Sequence, residues 1–248
     1  MNSLKLIAEA NLHSHIQQNS YPGRGFDVGL SEDGKNLVMV FWTMGRSEDS
    51  RNRIFVLDGT TIRTEAIDPT KVLHPELTLY PAMMEADDYF VVTNGRQTDT
   101  VLDALHTNHF PVVTAFTNGL ADWSYESDLN HTSRISAVCC RTNSPTIVMS
   151  VIKKSPFSDS PDRLTYAYES VAPGFGYCLT TYEKDGKPLI PPFSGEPLIM
   201  PLSGDIDAVL GIYWGALDEA NRVSLAVKFA PLSGGLSTVK FVNKYSKP

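Results

Sequence analysis

The chain has 248 residues, 42% of them hydrophobic and 20% charged, with a formal net charge of −7. That length buries a substantial core as one large domain, and sixteen prolines and seventeen glycines are scattered rather than gathered into a linker. The acidic balance speaks against a nucleic-acid backbone as partner, and no apolar run approaches the length of a membrane span.

In chain order, "MNSLKLIAEANLHSH" has too short an apolar stretch for a signal peptide and reads as a helix. His13 and His15 stand at i,i+2, a spacing that suits metal ligands only on a strand, so they are taken as solvated surface histidines. "YPGRG" holds Arg24 between two glycines, either an ordinary turn or a place where backbone and guanidinium approach an anion. "NLVMVFW" is a continuous apolar run of strand length. The stretch after it, "MGRSEDSRNRIF", crowds Arg46, Arg51 and Arg53 into eight positions of an acidic protein. Guanidinium groups repel one another, so such crowding favours a bound anion or carboxylates among them. If this segment is extended, Arg51 and Arg53 share a face while Arg46 approaches from a loop.

"RIFVLD" and "YFVVTN" predict further strands. "TNGRQTDTV" ends a strand and opens a helix, with Asn94–Gly95 supplying unusual backbone angles and Thr98 as cap; exposed amides there suit a polar ligand equally well. Val101, Leu102 and Leu105 line one face of that helix, and a second is predicted from Pro111 towards Gly119. "WSYESDLNHTSRIS" is a polar loop leading into "RISAVCC", where strand geometry sends Cys139 and Cys140 to opposite faces as free thiols. "TIVMSVI", "RLTYAYES" and "YCLTTYE" continue the strands. "DIDAVLGIYWGAL" is a helix with Ser203 or Asp205 as N-cap and Ile206, Val209, Leu210, Tyr213 and Leu217 on one face. In "RVSLAVKFA" the alternation of Val223, Leu225, Val227 and Phe229 with Ser224, Ala226 and Lys228 predicts one buried and one less buried face.

Runs of strands with helices inserted in pairs predict an α+β layered architecture, two stacked sheets covered by helices. Three cysteines without framework spacing point to a reduced, cytoplasmic protein. No Cys-x-x-Cys, His-Glu-x-x-His, Walker or Gly-x-Ser-x-Gly pattern occurs, so no metal, cofactor or acyl-transfer serine is expected.

The blocks "YPGRG", "MGRSEDSRNRIF", "LTLYP", "TNGRQTD", "YESDLNHTSRIS" and "FSGEP", in this order, resemble the inosine monophosphate (IMP) cyclohydrolases of the archaeal type and their bacterial relatives. The resemblance spans about Tyr21 to Pro197 and leaves residues 1–20 as a helical, non-catalytic extension of a single 1–248 domain. It implies a four-layer αββα sandwich similar to the N-terminal-nucleophile hydrolases, without that nucleophile, as Asn2 after Met1 agrees. The implied reaction closes 5-formamidoimidazole-4-carboxamide ribonucleotide to inosine monophosphate and water, the last step of purine synthesis, without cofactor. The partner is then a purine ribonucleotide, and a homo-oligomer is compatible.

From the same resemblance Tyr80 donates to the formyl oxygen, helped by a nearby arginine, Glu126 accepts the amide proton or orients the amide, and Arg46 is grouped with these two as catalytic. Arg46, Arg51 and Arg53, with Arg24, form one pool for holding the phosphate and for polarising the reacting groups, while Asn94 and Asp99 fix the imidazole carboxamide or the ribose and Asn130, Thr132 and Arg134 complete the substrate contacts. The family segment usually reads Asn, aromatic, Thr, Pro, Arg, whereas here Asn130-His131-Thr132-Ser133-Arg134 lacks the proline that would stiffen the loop. A silent purine-nucleotide-binding protein would keep the arginines but need not keep Tyr80 and Glu126. Another amidohydrolase of this fold would need a terminal nucleophile.

Overall fold

The computed structural model describes residues 2–107, 110–143 and 146–247; Met1 of the expected N-terminal helix and Pro248 lie outside them. Among these residues the chain forms two antiparallel sheets. The first has strands β1 (Gly25–Leu30), β2 (Asn36–Met44), β10 (Phe175–Thr180), β11 (Leu198–Pro201), β12 (Arg222–Pro231) and β13 (Thr238–Asn243), in the order β11-β10-β1-β2-β12-β13. The second runs from β3 to β9 in chain order: β3 (Arg53–Asp58), β4 (Thr61–Ala66), β5 (Pro81–Ala86), β6 (Tyr89–Thr93), β7 (Arg134–Cys140), β8 (Ile147–Lys154) and β9 (Pro161–Tyr168).

Side-chain alternation explains why continuous apolar runs become central strands. In β2, Leu37, Met39 and Phe41 meet Phe90, Ala137 and Met149 of the other sheet, while Val38, Val40 and Trp42 turn the opposite way, towards helix α6 (Ile206–Ala216). On the far side of the second sheet, Val91, Val138 and Cys140 pack against α4 (Gln97–Thr107) and α5 (Val112–Gly119). Helix, sheet, sheet and helix are therefore stacked around three apolar layers. As expected, α6 is capped by Asp205, whose carboxylate accepts from the Ala208 N–H. Cys139 faces the inter-sheet layer and Cys140 the helices, and with Cys178 all three are free. All are buried, so thiol titration is expected to be slow on the native protein and to count three after denaturation without reductant.

The N-terminal helix α1 (Asn2–Asn11) lies along edge strand β11, and Asn11 Nδ2 donates to the Ile199 carbonyl at 3.0 Å. At the other edge, Asn243 of β13 accepts from the Phe55 N–H at 2.8 Å and donates to the Phe55 carbonyl at 2.9 Å, joining the two sheets.

Four local expectations are corrected. His15 is buried, its Nε2 2.8 Å from Thr180 Oγ1 and its ring edge-on to Phe193; the chain at Leu12–Gln17 winds as a wider helical turn that swings this residue inward. Both faces of β12 are buried: Lys228, on the supposedly freer face, is fully enclosed and donates to the Thr60 carbonyl at 2.6 Å and Glu85 at 2.8 Å. Arg51 is not on an extended segment but ends the short helix α2 (Glu48–Arg51), which Ser47 and Ser50 cap reciprocally. Gly95 does not have a positive φ, and Thr98 lies inside α4 with its hydroxyl oxygen 2.5 Å from the Pro81 carbonyl and 2.9 Å from that of Gly95, its one proton going to either. A Cβ on Gly95 would stand 2.4 Å from an Arg134 nitrogen and 2.5 Å from Gln97 Oε1, so both side-chain ends would have to shift to admit one.

Buried Asp27 in β1 receives the Tyr213 hydroxyl at 2.5 Å on one oxygen and has no partner on the other. Burial pushes its carboxyl up to about 7 against that hydrogen bond. An unfolded Asp titrates near ~3.9, so between about pH 4 and 7 the folded state holds a proton that the unfolded chain does not. This contribution to stability is complete below about pH 4 and lost as pH rises through about 7. Thermal melts are expected to show stability falling across that window, with Asp27→Asn flattening the fall.

Candidate active site

A cleft of about 800 Å³ opens where the loop after β2, the start of β1, the 126–132 loop and the segment after β10 converge. Arg24, Arg46, Arg53, Glu126, Asn130 and Thr132 line it. Gly23 and Gly25, which flank Arg24, are required by packing: a Cβ on either would stand 2.2 Å from Thr181 or Trp42. They bring the β1 backbone close enough for Arg24 to lie under the cleft rather than project from the surface.

Glu126 is the charged centre. Arg24 Nη2 is 2.5 Å from its Oε2 and Arg134 Nη1 is 3.7 Å from its Oε1, which has no hydrogen-bond partner. Arg24 also donates to the Asn94 carbonyl at 3.0 Å. Arg134 is fixed by the Ser124 carbonyl at 2.8 Å and Gln97 Oε1 at 3.1 Å, with Trp123 beneath its guanidinium at 4.7 Å. Arg53 is buried, donates to the Met44 carbonyl at 3.1 Å, and leaves Nε without a partner.

Of these buried groups, three guanidiniums face one carboxylate, a surplus of two positive charges. Burial pulls Arg53 below the ordinary arginine range, opposed by nearby Tyr80, with the Arg24 charge pulling the same way as burial. Arg134 is lowered by burial too, against the pull of Glu126. Burial also works against Arg24, but Glu126, together with nearby Tyr80 and Tyr182, outweighs it and holds Arg24 well above the usual range. Uncompensated, desolvated cations beside an open cleft favour an anionic ligand.

Tyr80 and Arg134 stand behind the lining, within electrostatic reach of Arg24, and the buried Tyr80 hydroxyl has no partner. Arg46 reaches the mouth, where it pairs with Asp185 and lies over the Tyr21 ring at 4.5 Å. Three predicted residues lie apart from the lining. Arg51 is tied to the Gly45 carbonyl at 2.9 Å, and Asp99 is exposed on α4. Asn94 is fully buried, linking Ser133, Ile135 and Gln97 across the ends of β6 and β7.

Tyr21, Asp128, His131 and Tyr182 also line the cleft and were not singled out from the sequence. His131 has a positive φ of 49°, uncommon for a non-glycine residue although histidine is among those that adopt it more readily. No local pattern marks Tyr182, whose partner Thr132 is 50 residues away. Among the described residues no cluster of His, Cys, Asp or Glu is arranged to hold a metal ion, and no helix is long and apolar enough to cross a membrane.

Two stacked antiparallel sheets and a cleft of this size beside three buried guanidiniums define an α+β protein fitted to a small molecule. The chain belongs to the IMP cyclohydrolase-like protein family, whose profile matches residues 21–234 and so includes every residue of the cleft. It is 27% identical over 166 residues to the IMP cyclohydrolase of Methanothrix thermoacetophila, covering 67% of this chain and 76% of that one. It is 28% identical over 162 residues to the IMP cyclohydrolase of Methanopyrus kandleri, covering 65% and 75%.

Proposed function

We propose that this protein is an IMP cyclohydrolase, closing 5-formamidoimidazole-4-carboxamide ribonucleotide to inosine monophosphate in purine biosynthesis. The observation that carries the reading is the buried Arg24–Glu126–Arg134 cluster with Arg53 beside it, inside the family match. A dianionic 5′-phosphate answers the surplus positive charge, and Arg53, with its free Nε, and Arg46 are its proposed ligands. Asn130 and Thr132 form the wall against which the nucleotide lies.

Closing the ring needs the carboxamide nitrogen held against the formyl carbon, a problem of positioning. As the carbon–nitrogen bond forms, Glu126 takes one carboxamide proton; the formyl oxygen gains charge and needs a donor. Tyr80, whose buried hydroxyl is unpartnered, is proposed to supply it, with Arg24 adding positive charge. The oxygen leaves as water carrying that proton and the one from the formamide nitrogen, so N1 keeps its hydrogen and the new C=N bond closes the purine. Arg134 positions Glu126 from behind.

The stacking of the layers supports a further likeness to the N-terminal-nucleophile hydrolases, and the shared cores support a single domain with residues 1–20 as an extension. Three free cysteines favour a cytoplasmic setting. The test is the ultraviolet spectrum of purified protein mixed with the formylated ribonucleotide: growth of hypoxanthine absorbance above the uncatalysed rate is expected. A spectrum that changes no faster than the control would leave only nucleotide binding.

A further inference from the structure

Tyr182 follows β10, held by its own N–H on the Pro22 carbonyl at 3.1 Å and by the Tyr21 ring stacked on it at 5.9 Å. Its phenol oxygen is 2.5 Å from Thr132 Oγ1, which is 2.6 Å from Asp128 Oδ2; Asp128 Oδ1 accepts the Thr132 N–H at 2.7 Å. All three residues line the cleft.

The proton inventory gives this chain a direction. A carboxylate only accepts, so the single hydroxyl proton of Thr132 goes to Asp128. Thr132 must then accept from Tyr182, which commits the only phenol proton. Burial raises the Tyr182 pKa, so the phenol keeps that proton at neutral pH. What the Tyr182 oxygen offers the cleft is lone pairs alone.

We propose that Tyr182 is a specificity-determining residue whose oxygen, oriented by the Asp128–Thr132 relay, accepts a hydrogen bond from the base N1–H or a ribose hydroxyl of the bound nucleotide. This rests on the ring-closing reading above. A ligand with a methyl group or no group at that point leaves the lone pairs of the buried oxygen without a donor, a mismatch worth about 5- to 30-fold in affinity.

Asp128→Asn tests the direction without removing bulk. The Thr132 N–H holds the amide oxygen of the new side chain in the Oδ1 position, which turns its NH₂ towards Thr132 Oγ1. Thr132 then donates to Tyr182, and the phenol proton is released towards the cleft. Losing a negative charge strengthens every anion alike, so the ratio of affinities is what matters.

Calorimetry on the wild type, Tyr182→Phe and Asp128→Asn would use inosine monophosphate and its 1-methyl, 2′-deoxy and 3′-deoxy analogues. Tyr182→Phe is expected to bind inosine monophosphate about 5- to 30-fold more weakly and to lose nothing against one analogue; that analogue identifies the donor. Asp128→Asn is expected to abolish the wild-type preference for inosine monophosphate over the same analogue. Equal losses against all four ligands, no loss at all, or a preference intact in Asp128→Asn would overturn the assignment. A wild type that binds none of the four would overturn the ring-closing reading with it, whereas wild-type binding with unchanged variants overturns Tyr182 alone.

Discussion

Glu126→Gln is expected to lower kcat by about 100- to 1,000-fold while the affinity for inosine monophosphate stays within about threefold of the wild type. The carboxylate is asked to take a proton only as the new bond forms, so its loss is felt in the transition state and hardly in the product complex. Gln keeps an oxygen for Arg24 at the position now 2.5 Å away, which limits collapse of the site. Removing a negative charge beside Arg24 and Arg134 can only favour a bound anion. Tyr80→Phe is expected to act in the same direction, because its hydroxyl has no partner within the protein to lose. Single-turnover rates and product titrations on the two variants separate the effects. Near-normal turnover in both would remove them from the reacting centre.

Arg53→Ala is expected to do the opposite. The dissociation constant of inosine monophosphate should rise by about 30- to 1,000-fold, as for truncating one partner of a buried charge pair, with a smaller change in kcat at saturation. Wild-type protein should likewise bind the nucleoside inosine far more weakly than its 5′-phosphate. In the empty protein Arg53 carries a desolvated charge, one bond to the Met44 carbonyl and an unpartnered Nε, so removing it should not lower ligand-free stability. Calorimetry and thermal melts on one preparation test both halves. A destabilised variant with unchanged affinity would make Arg53 a structural residue.

Much of the architecture was legible because it depends on local repetition. Continuous apolar runs such as "NLVMVFW" bury both faces, and the cap at Asp205 and the apolar stripe of α6 act within a few residues. What escaped depends on distant partners. Lys228 was assigned to the less buried face because nothing near it in the chain reveals Glu85 on the other sheet. His15 looked exposed because Thr180 and Phe193 are far along the chain. The arginine crowding drew attention to the loop after β2, yet closeness in sequence conceals unequal fates. Arg53 enters the cleft wall, Arg46 pairs with Asp185 at its mouth, and Arg51 is turned away by a helical turn that Ser47 and Ser50 cap. Tyr182 had no signal at all, since its meaning lies in which way a shared proton points.

The contacts at the sheet margins bear on what the outer strands offer to another chain. An uncovered outer strand offers free amides and carbonyls as a template for another chain. Asn11 occupies a carbonyl of β11, and Asn243 satisfies both backbone groups of Phe55 in β3, acting as a one-residue stopper. The margin at β9 is guarded differently, opening on Pro161 and carrying Asp162 and Arg163. A chain trimmed through residue 17 would keep its whole cleft lining yet bare β11. Its expected failing is aggregation during refolding, visible as light scattering, well before any loss of chemistry.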